Sequence, residues 1–115
     1  MFGAAAGVRV FIRPGRTDMR RAINGLSAMA QETLRQDAFS GNLFAFCGRR
    51  RDVIKIVYWD RNGFCLWQKR LERDRFVWPK TEGEALELSA QELSWLLAGL
   101  DWRKAHPAVK YSVLA

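Results

Sequence analysis

The chain has 115 residues, 49% of them hydrophobic and 27% charged, with a formal net charge of +7. That length suits one domain with a core of its own, needing neither disulfide nor metal staples, and the composition excludes a disordered chain. The charge favours an anionic partner, nucleic acid above all, and it is uneven: residues 1–80 carry 16 basic and 7 acidic side chains, residues 81–115 only 3 and 5.

The opening residues are small and weakly apolar and lack the basic n-region of a signal peptide. No run approaches the roughly 20 apolar residues of a membrane span, so a cytoplasmic protein is expected. Val8-Arg9-Val10-Phe11-Ile12 reads as a first strand, stopped by Pro14-Gly15. Met19, Ile23, Leu26, Met29, Ala30 and Leu34 then recur at helical spacing, which predicts an amphipathic helix over 18–35 capped by Thr17 or Asp18. Gly25 inside it marks a place where a neighbour packs closely.

Leu43-Phe44-Ala45-Phe46-Cys47 is a second strand, apolar on both faces, and Gly48-Arg49-Arg50-Arg51-Asp52 a tight basic turn. Residues 53–59 and 64–71 form two further strands about Asp60-Arg61-Asn62-Gly63, a hairpin turn by its Asn-Gly step. The register of that hairpin, and so the face on which Lys55 and Lys69 meet Trp59 and Trp67, is left open. Phe76-Val77-Trp78 is a short extended piece ended by Pro79, and residues 79–87 read as a polar linker. Ser89 and Glu92 make a capping box, with Leu88 and Leu93 placed as a hydrophobic staple, ahead of a helix faced by Leu93, Leu96, Leu97 and Leu100.

The expected fold is α+β, in the order β-α-β-β-β-(β)-α. It is an antiparallel sheet of three to five strands with two helices packed on one side of it. Residues 1–102 form the domain and residues 103–115 a loosely held tail.

Several blocks occur in a telling order. They are Thr17-Asp18-Met19-Arg20, Asp37-Ala38-Phe39-Ser40-Gly41, Asp52-Val53-Ile54-Lys55 with Trp59-Asp60 and Gly63, and Leu66-Trp67-Gln68-Lys69-Arg70-Leu71-Glu72. Phe76-Val77-Trp78-Pro79 and Leu96-Leu97-Ala98-Gly99-Leu100-Asp101-Trp102 complete the set. Over residues 7–102 the chain resembles the TnpB accessory proteins of bacterial insertion-sequence family sixty-six. It departs from them at Ala38, where that family usually has proline, and at Asp74, where it often has glycine. The resemblance implies a small protein that supports DNA transposition beside a transposase and a second accessory protein, with no established catalytic residues to carry over.

Function then rests on binding surfaces. Arginine supplies 14 of the 19 basic residues, and its fork suits phosphate oxygens. Arg49, Arg50 and Arg51 on the turn, with Lys55, Lys69, Arg70, Arg73 and Arg75 on or beyond the neighbouring strands, are the candidate nucleic-acid contacts. The competing reading of the turn is a solvated loop that only aids solubility. Of the five tryptophans, most suit core packing, while Trp78 and Trp102 are the candidate partner contacts. The doubly apolar sheet points to one face meeting a second subunit or the transposase. A pure protein–protein adaptor without DNA contact is the rival function.

Catalysis fits poorly. Asp18, Asp60 and Asp101 read better as helix-start, turn and helix-end residues than as a metal-binding triad. Cys47 and Cys65 are expected as free thiols, since His106 alone completes neither a zinc set nor a nucleophile pair with them. A non-enzymatic protein without cofactor is expected.

Overall fold

The computed structural model of the chain describes residues 7–104. Five strands and two helices follow in the order β1 (Val10–Ile12), α1 (Ile23–Glu32), β2 (Leu43–Cys47), β3 (Val53–Asp60), β4 (Gly63–Arg70), β5 (Leu86–Leu88) and α2 (Ala90–Leu97). They build one sheet in the spatial order β4-β3-β2-β1-β5. The expected α+β architecture is present, but the sheet is mixed. β2, β3 and β4 form the antiparallel meander, whereas β1 pairs parallel to β2 across the α1 crossover.

The fifth strand is not the expected 76–78 piece. It is Leu86–Leu88, read above as the end of a linker, and it pairs antiparallel with β1 through Val10 and Leu88. Phe76, Val77 and Trp78 are spent on filling the core beneath the sheet. Their backbone bonds go to loops, Phe76 N–H to the Arg51 carbonyl at 2.7 Å and the Pro79 carbonyl to Gly15 N–H at 2.7 Å.

The run of buried residues in β2 has a simple cause. Its side chains alternate between two faces, and both faces are covered. Phe44 and Phe46 join Phe11, Val57, Leu26, Ala30 and Leu34 under α1. Leu43, Ala45 and Cys47 join Val10, Ile12, Ile54 and Ile56 against Leu93, Leu96 and Leu97 of α2. The helices therefore lie on opposite faces of the sheet, not on one. The apolar character of β2 is accounted for within the chain and no longer points to a second subunit. Each large side chain so buried contributes about 1.5–3 kcal/mol.

The hairpin register pairs Lys55 with Gln68, Ile54 with Lys69, Ile56 with Trp67 and Trp59 with Phe64. Lys55 and Trp59 thus share the α1 face, while Lys69 and Trp67 share the α2 face. The left-handed residue of the turn is Arg61 (φ 52°) rather than the Asn-Gly step, and Asn62 N–H closes the turn on the Asp60 carbonyl.

α1 is shorter than expected at both ends. Its N-cap is Ala22, without a side-chain cap. Asp18 instead closes its own turn, accepting Arg20 N–H at 3.0 Å and the Arg20 guanidinium at 2.7 Å, which lowers its pKa to about 2. At the other end Arg35 adopts φ 57° and Gln36 N–H returns to the Ala30 carbonyl at 3.0 Å, which stops the helix. Nothing packs closely on Gly25: an added Cβ would meet only Arg21 side-chain carbons, at 3.4 Å. α2 carries the expected capping box on Ser89 and Glu92, and Leu88 and Leu93 are both buried in the same cluster. Apart from Arg103 and Lys104, the tail expected over 103–115 lies outside the described residues. Among the described residues no helix is long and apolar enough to cross a membrane.

Candidate nucleic-acid interface

The parallel pairing of β1 with β2 decides what surrounds the basic turn. It carries the loop after β1 to the end of the sheet where β2 turns into β3. Arg13 N–H donates to the Ala45 carbonyl at 3.1 Å and Thr17 N–H to the Cys47 carbonyl at 2.8 Å, so residues 13–17 lie along the β2 terminus. The segment after β4 closes the arrangement. Trp78 Nε1–H donates to the carbonyls of both Arg13 and Gly15 at 3.0 Å.

A cleft of about 450 Å³ opens between these three segments. Arg16, Arg49, Arg51 and Lys80 line it, with Glu82 as its acidic member. Glu82 stands 3.8 Å from the Arg13 guanidinium. Among the described residues none forms an ion pair with Arg16, Arg49, Arg51 or Lys80. Two glycines make the close approach possible. Gly15 has φ 85°, and an added Cβ would stand 2.7 Å from Glu82 Cγ; at Gly48 it would stand 2.6 Å from Met19 Cγ.

The turn itself is tied down. Arg75 Nη1 donates to the Arg50 carbonyl at 2.9 Å, and Leu71 N–H donates to the Asp52 carbonyl at 2.8 Å. Arg51 holds φ 60°, a conformation costly for a residue with a side chain. Arg73 and Arg75 line a second, smaller hollow of about 340 Å³ with Asp52, Glu72 and Asp74. Asp74 there has φ 54°, which explains why a glycine suits this position in the family the sequence resembles.

Six of the eight basic candidates therefore gather at one end of the sheet: Arg49, Arg50, Arg51, Arg70, Arg73 and Arg75. Arg70 is partly offset by Glu72 at 3.7 Å. The other two are engaged by the fold, Lys55 buried and Lys69 half-buried. Lys55 is 9% exposed, and its Nζ donates to the carbonyls of Met19 and Arg21. Lys69 Nζ donates to the Leu97 carbonyl at 2.8 Å, at the C-terminal end of α2 where a cation is favoured. Backbone carbonyls thus accept from both ammonium groups, and for the buried Lys55 they offset the cost of burial. Arg16 and Lys80 are the members that sequence reasoning missed. Pro14-Gly15 and Trp78-Pro79 mark turns, but nothing local says that those turns meet.

The tryptophan assignment also needs correction. Trp78 is 4% and Trp102 7% exposed, and the Trp102 Nε1–H donates to the Val77 carbonyl at 2.8 Å. Both are core residues with a satisfied polar edge. The exposed aromatic is Phe39, at 54%, which packs on Trp59 and Phe64 with ring centroids 5.0 and 5.2 Å away. This trio sits beside the hairpin tip, at the opposite end of the sheet from the basic turn.

The carboxylates do not converge. Asp18 pairs with Arg20 near the β2 terminus, Asp60 lies at the far hairpin tip, and Asp101 accepts Arg103 N–H. Cys47 and Cys65 are free thiols, and burial pushes that of Cys47 up to about 12.

The profile of the IS66 Orf2-like protein family matches residues 8–107. Two uncharacterized proteins of Sinorhizobium fredii are similar along nearly their whole length. One, y4hO, is 46% identical over 93% of this chain and 91% of its own; the other, y4jC, is 38% identical over 90% and 89%. No solved structure gives a significant match. With the profile spanning the strands, both helices and the basic cleft alike, the chain belongs to the IS66 Orf2-like family, accessory proteins of an insertion sequence.

Proposed function

We propose that this protein supports transposition of its element by binding DNA through the basic end of the sheet, and that it catalyses no chemical step itself. The observation that carries this reading is the gathering of Arg16, Arg49, Arg51 and Lys80, drawn from three separate segments, around one cleft with no ion pair among the described residues. Like charges held together repel, and a phosphate backbone relieves that repulsion while releasing its counterions. Arg50, Arg73 and Arg75 extend the same surface.

The test is fluorescence anisotropy on labelled duplexes across a salt series, one duplex being an end of the element and one a scrambled sequence. Replacing Arg49, Arg50 and Arg51 together by alanine is expected to weaken binding and to flatten the salt slope by about 2–3. An unchanged slope overturns the reading. Tighter binding to the element end makes the protein a site reader; equal binding makes it a clamp that takes its specificity from the transposase.

A second reading, an adaptor between the transposase and the second accessory protein, is favoured by one observation, the exposed Phe39 on its aromatic trio. Co-purification with the transposase that survives nuclease treatment and is lost on Phe39→Ala supports it. Failure of both the duplexes and the pull-down removes both readings.

A further inference from the structure

The cleft is concave: it admits a phosphate from the outer ridge of a duplex, but a whole nucleotide only where the base has left the stack, because paired bases lie inside the duplex. A hollow of about 450 Å³ has the size of a small-molecule site and holds one nucleotide at most. Its lining is divided in chemistry. Arg16, Arg49, Arg51 and Lys80 offer cations, Glu82 a carboxylate at one side and Pro79 an apolar edge.

Its shape is also fixed before any ligand arrives. Trp78 Nε1–H holds the Arg13 and Gly15 carbonyls at 3.0 Å, and Gly15 N–H holds the Pro79 carbonyl at 2.7 Å. Such preorganisation lowers the ordering cost of binding. Arg51 lines this cleft despite a backbone φ of 60° that a glycine would adopt at less cost.

We infer that the cleft seats a single unpaired nucleotide of the DNA, its phosphate among Arg16, Arg49, Arg51 and Lys80 and its sugar and base along Pro79. The inference rests on the DNA-binding reading and specifies the form of DNA: a strand that leaves the duplex, as at a single-stranded overhang. Arg50, outside the cleft on the same turn, then meets the adjoining duplex.

The experiment measures anisotropy on a labelled blunt duplex and on the same duplex with a short single-stranded overhang, at one salt concentration. The overhang is expected to tighten binding on the order of tenfold. Arg16→Ala combined with Lys80→Ala, both at exposed positions, is expected to abolish that gain and to weaken blunt-duplex binding by less. Arg50→Ala, on the same turn but outside the cleft, is expected to weaken both duplexes alike and to keep the gain. Equal affinity for the two duplexes, or a gain that survives the double variant, overturns the inference while leaving DNA binding in place. Binding to neither duplex overturns both.

Discussion

The Lys55 ammonium donates to the Met19 carbonyl at 2.6 Å, and to the Arg21 carbonyl beside it at 2.9 Å. A side chain from the middle of the sheet thereby holds the approach to α1. Lys55→Met keeps most of the apolar stem but leaves two carbonyls without this donor, so a loss of about 1–3 kcal/mol is expected in urea unfolding. The salt slope of DNA binding should stay as in the parent. A lysine that touched DNA would show the opposite pattern, stability kept and slope reduced.

Arg51 separates fold from function in the other direction. Its φ of 60° suits glycine, and its amide and carbonyl keep their partners, Gly48 and Phe76, whatever the side chain. Relief of strain and the greater freedom of glycine in the unfolded chain work against each other. Arg51→Gly is therefore expected to leave stability unchanged or raise it by up to about 1 kcal/mol. DNA affinity should fall in the same protein. A variant that is both unstable and fully binding would show that the guanidinium serves the fold.

The aromatic residues give a paired prediction. Trp102→Ala empties a buried site and leaves the Val77 carbonyl without its donor, and about 3–5 kcal/mol should be lost on unfolding. Phe39→Ala removes a ring that is 54% exposed and should cost less than about 1 kcal/mol. If the adaptor reading holds, the stable Phe39 variant is the one that loses the transposase in a pull-down.

Cys47 makes stability depend on alkaline pH. An unfolded chain ionises this thiol near its ordinary value of 9, whereas the folded protein holds the proton to about 12 because burial disfavours the thiolate. Across that window the unfolded state binds fewer protons, so stability falls as pH rises; below it the group contributes no pH dependence. Urea midpoints from neutral pH to about 10.5 should therefore decline less steeply in Cys47→Ala than in the parent. At neutral pH the native Cys47 thiol should resist alkylation and become reactive on unfolding.

The sequence by itself determined the elements whose signals are local. The Ser89 and Glu92 box needs only residues three apart, and it caps α2 as read. The hairpin between β3 and β4 follows from a turn flanked by two apolar runs, although Arg61 and not the Asn-Gly step takes the left-handed conformation. Clustered arginines on one turn, and ordered blocks pointing to a family, are equally local to the sequence.

Tertiary structure decided whatever depends on partners far along the chain. Whether β1 runs parallel or antiparallel to β2 is a matter of which edge remains open, and the α1 crossover makes it parallel. That one choice lays residues 13–17 along the β2 terminus and builds the cleft from Arg16, Arg49, Arg51 and Lys80. Leu86–Leu88 is a strand only because β1 offers it an edge. Lys55 and Lys69 look like surface charges in sequence, yet in the fold backbone carbonyls accept their hydrogen bonds. Trp78 and Trp102 look available beside Pro79 and beyond α2, yet the sheet face they cover draws them in. Local signals specify a segment's shape; hydrogen-bond partners and burial are properties of the whole fold, and they settle which charges stay exposed.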